Sequence, residues 1–407
     1  MEYAALAARF GTPLYVYDLD RVDAARRDLI EALPPGTELY YAVKANPHPE
    51  LVRALRTGAG QPCRVEISST GELDVIRQAG YSGADVLYTG PGKTDAEISA
   101  ALAAGVRTFS VESPGDLTAV GARAAALGIT AHCLLRVNSA SASASTSIRM
   151  TGTPSQFGFD SETLPEVLPG LRDVPGAELA GLHFYPLSNA RDEDSLIAEF
   201  RHTIGLAADL SARLDLPLRL LDIGGGFAAP YAVPGHRPRY EKLRTELEHT
   251  LDRDLPGWRD GAPRIAFESG RHLVGDAGTL LTRVVNVKVS RGRKYVIADA
   301  GINTLGGMSG LGRLLPVAVE AEADGERERA SLVGPLCTPG DILGRDIQLP
   351  TLDRDDLVTI PNVGAYGPTA SLLMFLGRPA PTEVVVRGDE VLSVSRLVHT
   401  REQSDPA

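Results

Sequence analysis

The sequence predicts a (β/α)8 barrel of α/β class followed by a separate all-β domain, a β-sandwich or β-barrel. Three observations point there. Short apolar strand candidates alternate with helical spacing eight times, over roughly the length a closed barrel needs. Past Gly275 helical periodicity fades into β-rich runs separated by Gly, Pro and Asp turns. The polar residues that interrupt the eight apolar strands sit at their C-terminal ends, the face where such barrels carry their sites. An open doubly wound sheet is the rival for the first part.

In order, Met1–Phe10 reads as a short amphipathic helix, Pro13–Tyr17 as an apolar strand and Leu19–Leu33 as a helix. The eight barrel strands are expected at Tyr40–Lys44, Val65–Ile67, Val86–Tyr88, Thr108–Val111, Leu134–Val137, Leu182–Phe184, Leu220–Ile223 and Ile265–Glu268. Helical spacing fills the intervals at Glu50–Arg56, Gly71–Gln78, Asp95–Ala104, Pro114–Leu127, Asp194–Leu214 and Tyr240–Arg253. The β-rich part offers strands at Thr279–Val289, Lys294–Asp299, Ala330–Gly334, Leu357–Ile360, Thr382–Arg387 and Glu390–Arg396. The expected organisation is an N-terminal helix and strand in residues 1–30, a barrel in 31–275 and a β domain in 276–407. Pro13–Tyr17 has no barrel role and is expected to join the β domain's sheet. Ser139–Ser147 alternates serine with small residues; it reads as a mobile loop, either a lid over the site or a plain insertion.

Composition narrows the function classes. At 407 residues, 43% hydrophobic and 23% charged, the chain is an ordinary globular protein. A net charge of -11 argues against nucleic acid or an anionic membrane as partner. No run of about 18 apolar residues is available to span a bilayer. Cys63, Cys133 and Cys337 are too scattered for a disulfide framework or a thiolate metal site, so no metal is expected and a reducing cytoplasm is the simplest location.

The strand-end residues are Lys44, Glu66, Arg136, His183, Asp222 and Glu268. Each alone has a structural explanation: a lysine can snorkel from an edge strand, and one buried His or Glu is often a satisfied core group. Six converging on one rim describe a site. A lysine inside an apolar run, if buried, is a candidate nucleophilic amine for a Schiff base. Gly224-Gly225-Gly226 after Asp222, and Ser269-Gly270-Arg271 after Glu268, offer close backbone approach, amide donors and a cation, which suit a phosphate. A triple glycine also serves a tight strand-to-helix turn. No Gly-x-Gly-x-x-Gly or Walker-type loop occurs, which disfavours dinucleotide and ATP. Lysine, phosphate cradle and strand-end carboxylate together suit pyridoxal 5′-phosphate.

With these residues the chain resembles the fold-type III pyridoxal-phosphate decarboxylases, the group of diaminopimelate, ornithine and arginine decarboxylases. Ordered motifs carry the resemblance over about residues 10 to 400. They are Tyr41-Ala42-Val43-Lys44-Ala45-Asn46, Val65-Glu66-Ile67-Ser68-Ser69-Thr70-Gly71-Glu72-Leu73, Gly90-Pro91-Gly92-Lys93, Leu135-Arg136-Val137-Asn138, Ser155-Gln156-Phe157-Gly158 and Gly181-Leu182-His183. Gly224-Gly225-Gly226, Glu268-Ser269-Gly270-Arg271, Gly334-Pro335-Leu336-Cys337-Thr338-Pro339-Gly340-Asp341 and Gly364-Ala365-Tyr366-Gly367 complete the series. The resemblance implies that Lys44 forms the Schiff base, His183 stacks on the cofactor ring and Glu268 binds its nitrogen. Glu66 and Arg136 would line the cofactor, while Ser188, Gly224, Gly225, Gly226, Gly270 and Arg271 would hold its phosphate, with Tyr366 beside it. It further implies a head-to-tail homodimer with shared sites. There Cys337 of the partner protonates the quinonoid intermediate, and Asp341 lies near the substrate amine.

Three departures from the best-known members bear on the substrate. His183-Phe184-Tyr185-Pro186-Leu187-Ser188-Asn189 replaces a glycine-bearing turn. Thr338 stands where diaminopimelate decarboxylases carry a Glu that reads the distal amino group, which disfavours that substrate. The loop from Ala300 to Arg313 replaces a shorter one, leaving Arg313 as either a substrate-carboxylate contact or a surface residue. The stretch from Pro368 to Val384 resembles a specialised-metabolism subgroup that includes decarboxylases of carrier-bound glutamyl groups and siderophore precursors. The expected reaction is decarboxylation of a small amino acid, a conjugate or a carrier-tethered amino acid. The alternatives are a racemase or epimerase on the same fold, and a non-catalytic homologue that binds a partner decarboxylase.

Overall fold

The computed structural model describes residues 2–58, 60–140, 148–149, 154–306 and 326–403. Arg313 and residues 141–147 of the serine-rich stretch lie outside the described residues. The chain forms two compact units, one of Asp23–Ala228 with Pro238–Leu273, the other of Met1–Val22, Ala229–Arg237 and Val274–Ala407.

The first unit is a closed parallel barrel. Its strands are Glu38–Ala42, Arg64–Ile67, Val86–Tyr88, Thr108–Val111, Ala131–Asn138, Ala177–His183, Leu220–Asp222 and Arg264–Ser269. Each pairs with the next in parallel, and the eighth returns to the first through Glu268 opposite Tyr40. Helices follow the strands as the apolar spacing requires: Pro49–Thr57, Thr70–Gln78, Asp95–Ala103, Pro114–Ala126, Glu193–Leu214 and Leu243–Asp254. Short polar side chains start four of them. Ser69 accepts from the Glu72 amide, Thr94 from Glu97, Ser113 from Asp116 and Asp192 from Ser195. Each cap satisfies an amide that the first helical turn leaves without a partner, worth about 1 kcal/mol. Among the described residues no helix is long and apolar enough to cross a membrane.

The second unit is built on a mixed sheet of eight strands. Its centre is the long strand Gly278–Ser290. The first half of that strand pairs antiparallel with Leu14–Asp18 and with Leu357–Ile360, and its second half with Arg293–Ala298. Leu14–Asp18 also runs parallel to Thr382–Arg387, which pairs with Glu390–Arg396. Leu14, Val16, Leu281, Val384 and Val386 pack on Leu6 and Ala7 of the first helix, so that helix covers the sheet with its apolar stripe. The strand Ile342–Pro350 has no counterpart in the expected set. Within it Asp346 takes a left-handed φ of 54°. The segment is extended nonetheless because Arg327–Val333 supplies an antiparallel partner, with register irregularities beside the distortion.

Candidate active site

Alternate residues of each barrel strand point inward. Tyr40, Leu87, Leu134 and Leu220, from the first, third, fifth and seventh strands, pack with Ala180 and Ala266 into a buried apolar layer. Two residues further along their strands, on the same face, stand Arg136, Asp222 and Glu268. The barrel therefore carries an apolar floor and a polar layer one register step above it, at the strands' C-terminal ends. His183 ends the sixth strand in register with both Arg136 and Asp222.

Lys44 departs from expectation. The first strand ends at Ala42, and Val43–Ala45 is a 3-10 turn. Val43 and Ala45 take the buried positions while the Lys44 side chain is 42% exposed. The expected lysine inside a buried strand is thus corrected. Its Nζ lies 3.2 Å from Glu66 Oε2 and 5.4 Å from the centre of the Tyr185 ring. Glu66 is almost fully buried and also accepts from the Thr89 hydroxyl.

The other buried groups form a chain across the rim. His183 Nδ1 is 2.6 Å from Ser110 Oγ, and its Nε2 is 3.0 Å from Glu268 Oε1. That second contact is close but lacks hydrogen-bond alignment. Burial pushes the Glu268 carboxyl up, but His183, Lys44 and Arg136 outweigh it and hold Glu268 below its ordinary value. Asp222 goes the other way: burial, and then the neighbouring Glu268, raise it well above the carboxylate range. Arg136 donates to Glu112 at 2.9 Å and lies 4.8 Å from the Phe157 ring centre, while the Gly158 amide donates to the other Glu112 oxygen.

Glycines bring two turns against this layer. Gly224 has φ 81°, and a Cβ there would meet Phe184 O at 2.2 Å; one on Gly225 would meet Glu268 O at 2.4 Å. A Cβ on Gly270 would lie 2.8 Å from that of Ala45, so the turn after the eighth strand abuts the lysine turn. Arg271 follows directly and is half-buried. Ser188 is placed in a two-residue ribbon, Leu187–Ser188, paired with Ile148–Arg149.

The remaining expected residues belong to the second unit. Cys337 is exposed on the loop that joins Arg327–Val333 to Ile342–Pro350, and Thr338 is half-buried beside it. Asp341 is buried, and its two oxygens accept from the Ile302 and Leu336 amides at 2.8 and 2.7 Å. That carboxylate ties the cysteine loop to the backbone at Ile302 and Leu336. Tyr366 has φ 54°, and its carbonyl accepts from the Tyr231 hydroxyl. Sequence reasoning missed Thr89, Ser110 and Glu112. The alternation rule could have found the last two: Ser110 and Glu112 share the inward register of the fourth strand and its extension.

Comparison with known proteins places these observations. Residues 19–275 match the family model described as Pyridoxal-dependent decarboxylase, pyridoxal binding domain. The chain is 33% identical over 401 residues to the L-glutamyl acyl-carrier protein decarboxylase of Niallia circulans, covering 95% of this chain and 91% of that protein. It is 28% identical over 381 residues to the Staphylococcus aureus decarboxylase of 2-((L-alanin-3-ylcarbamoyl)methyl)-2-hydroxybutanedioate, covering 90% and 92%. Among solved structures, diaminopimelate decarboxylase of Helicobacter pylori complexed with L-lysine superposes with a TM-score of 0.83 at 26% identity, covering 97% of this chain and 95% of that one.

Proposed function

The chain belongs to the pyridoxal-dependent decarboxylases, enzymes that use pyridoxal 5′-phosphate, and we propose that it removes CO2 from an amino acid held in an acyl or amide conjugate. The residues present fit the cofactor. Glu268 Oε1 and His183 Nε2 are buried polar atoms with no aligned hydrogen-bond partner, as a carboxylate waiting for a ring N–H would be. The glycine turns are closed to side chains and leave backbone to face a phosphate.

In this reading Lys44 would hold the cofactor covalently through Nζ, and Glu66 would manage the proton on that amine. Glu268, kept ionised by His183, would accept from the ring nitrogen, and His183 would pack on the ring. Gly224, Gly225, Gly226, Gly270, Arg271 and Ser188 would hold the phosphate, with Tyr366 alongside. Bound there, the cofactor supplies an electron sink for the pair left when CO2 departs. Ionised Glu268 keeps that sink deep. The final proton would come from Sγ of the partner subunit's Cys337, on a loop that Asp341 holds in shape. This makes the working unit a homodimer, and a reducing cytoplasm is where that thiol stays available.

The observation that carries the decarboxylase reading is the convergence of the Lys44–Glu66 and His183–Glu268 pairs on one barrel rim. The substrate part draws on the Niallia and Staphylococcus relatives and on neutral Thr338. Diaminopimelate is the second reading, favoured by the superposition on the Helicobacter enzyme. The test is CO2 release by the cofactor-loaded protein from L-glutamyl thioesters and amides, from meso-diaminopimelate and from free amino acids. Faster turnover of the conjugates is expected. Preference for diaminopimelate would replace the substrate assignment, and α-proton exchange without CO2 release would refute the reaction.

A further inference from the structure

Two carboxyl groups lie in the polar layer on neighbouring strands, Asp222 at 0% exposure and Glu268 at 2%. One oxygen of each and one ring nitrogen of His183 all fall within 4.8 Å of one another. Two carboxylates so close and so far from water cannot both be ionised, because each would meet the other's charge in a medium of low polarisability. One of them must carry a proton, and their surroundings decide which.

Glu268 has His183 Nε2 at 3.0 Å and feels the charges of Lys44 and Arg136. Asp222 receives one backbone amide, Gly224 N to Oδ1 at 2.9 Å, and its Oδ2 has no aligned partner. The other titratable groups that face Asp222 are the His183 ring, the Glu268 and Glu66 carboxylates and the Tyr40 phenol; of these only His183 is basic, and its Nε2 makes its 3.0 Å contact with Glu268. We propose that Asp222 is held as the neutral acid, and that its hydroxyl fixes Glu268 as the ionised partner of the cofactor's ring nitrogen. Asp222 is then a positioning residue acting through Glu268. The proposal rests on the reading of Glu268 given above. The raised Asp222 and lowered Glu268 pKa values agree with this assignment.

The test is isotope-edited infrared spectroscopy of the full-length, cofactor-loaded protein carrying 13C-carboxyl aspartate. A protonated-aspartate carbonyl band is expected at neutral pH in the wild type and absent in Asp222→Asn. No such band, or a band that survives in Asp222→Asn, overturns the proposal. Cofactor affinity gives a second readout. Asp222→Asn, an isostere of the neutral acid, is expected to bind within about threefold of wild type, whereas Asp222→Ala binds about tenfold or more weakly. Equal damage in both variants would show that the charge of Asp222 is what matters, and would also overturn it. Should Asp222→Ala fail to fold, the band in the wild-type protein decides alone. Unchanged cofactor affinity in Glu268→Gln would overturn the reading of Glu268, separately from the infrared result on Asp222.

Discussion

His183 Nε2 lies 3.0 Å from Glu268 Oε1, although His183 ends the sixth barrel strand, Glu268 is the penultimate residue of the eighth, and the seventh, ending in Asp222, runs between them. The contact spans an intervening strand because all three side chains point into the same interior layer. It keeps a fully buried carboxyl ionised where burial alone would have neutralised it.

Removing that charge should strike the chemistry and spare substrate binding. Glu268→Gln is expected to lower kcat by roughly 10²-fold, with KM changed far less, in the range seen when one preorganised electrostatic partner is lost. Steady-state kinetics at saturating cofactor checks this. A rise in KM at unchanged kcat would mean that Glu268 serves only in binding.

His48, next to the lysine turn, gives a pH signature. Its ring is buried, caps the helix Pro49–Thr57 by accepting from the Glu50 amide, and has its pKa pushed down to about 4, chiefly by burial. A histidine depressed in the fold contributes stability above its unfolded pKa of about 6.5 and loses it as pH falls towards the folded value. Wild type should lose roughly 3 kcal/mol, to order of magnitude, between those two values from this residue. His48→Asn keeps a capping acceptor without the titration, so its denaturation midpoint should fall less over the same interval.

Gly224 is required for its backbone. Gly224→Ala would place a Cβ 2.2 Å from Phe184 O at a φ of 81°. A loss of about 2–4 kcal/mol of stability is expected, with weaker cofactor binding from the displaced turn. Chemical denaturation and a cofactor titration measure both. A variant as stable as wild type would mean that the turn adjusts freely.

The proposed sharing of sites between two subunits can be tested by mixing. Lys44→Ala and Cys337→Ala homodimers should each be nearly inactive. Re-association of equal amounts should recover about a quarter of wild-type activity, because half the dimers are mixed and one of their two sites is intact. No recovery, with mixed dimers verified by mass spectrometry, would place both residues of a site on the same chain.

Much of the barrel was legible because its strands are short apolar runs set between helical segments. Val86–Tyr88 and Thr108–Val111 match the expected bounds, and Arg64–Ile67 differs by one residue. Periodicity carried no information where the backbone leaves the ladder. Lys44 sits in an apolar run, yet its position is set by a 3-10 turn that brings Ala45 against Gly270 more than two hundred residues away. Ile342–Pro350 was hidden for a related reason, since its extension depends on a partner strand and not on its own residues. Within the site, Glu66, His183 and Glu268 could be read as strand-end polar residues. Their pairing with Thr89 and Ser110 could not, because it arises from closure of the barrel. The fixed shape of the Cys337 loop was equally out of reach, since it depends on Ile302 and Leu336 amides turned towards Asp341.

Whether Lys44 holds the cofactor is decided by reductive trapping. Borohydride treatment of the pyridoxal 5′-phosphate-loaded protein fixes the cofactor to the lysine that carries it, and peptide mass mapping locates the adduct. The modification is expected on the peptide containing Lys44 and absent from Lys44→Ala. An adduct on Lys93, Lys242 or another lysine, with Lys44 unmodified, would mean that Lys44 is not the cofactor lysine.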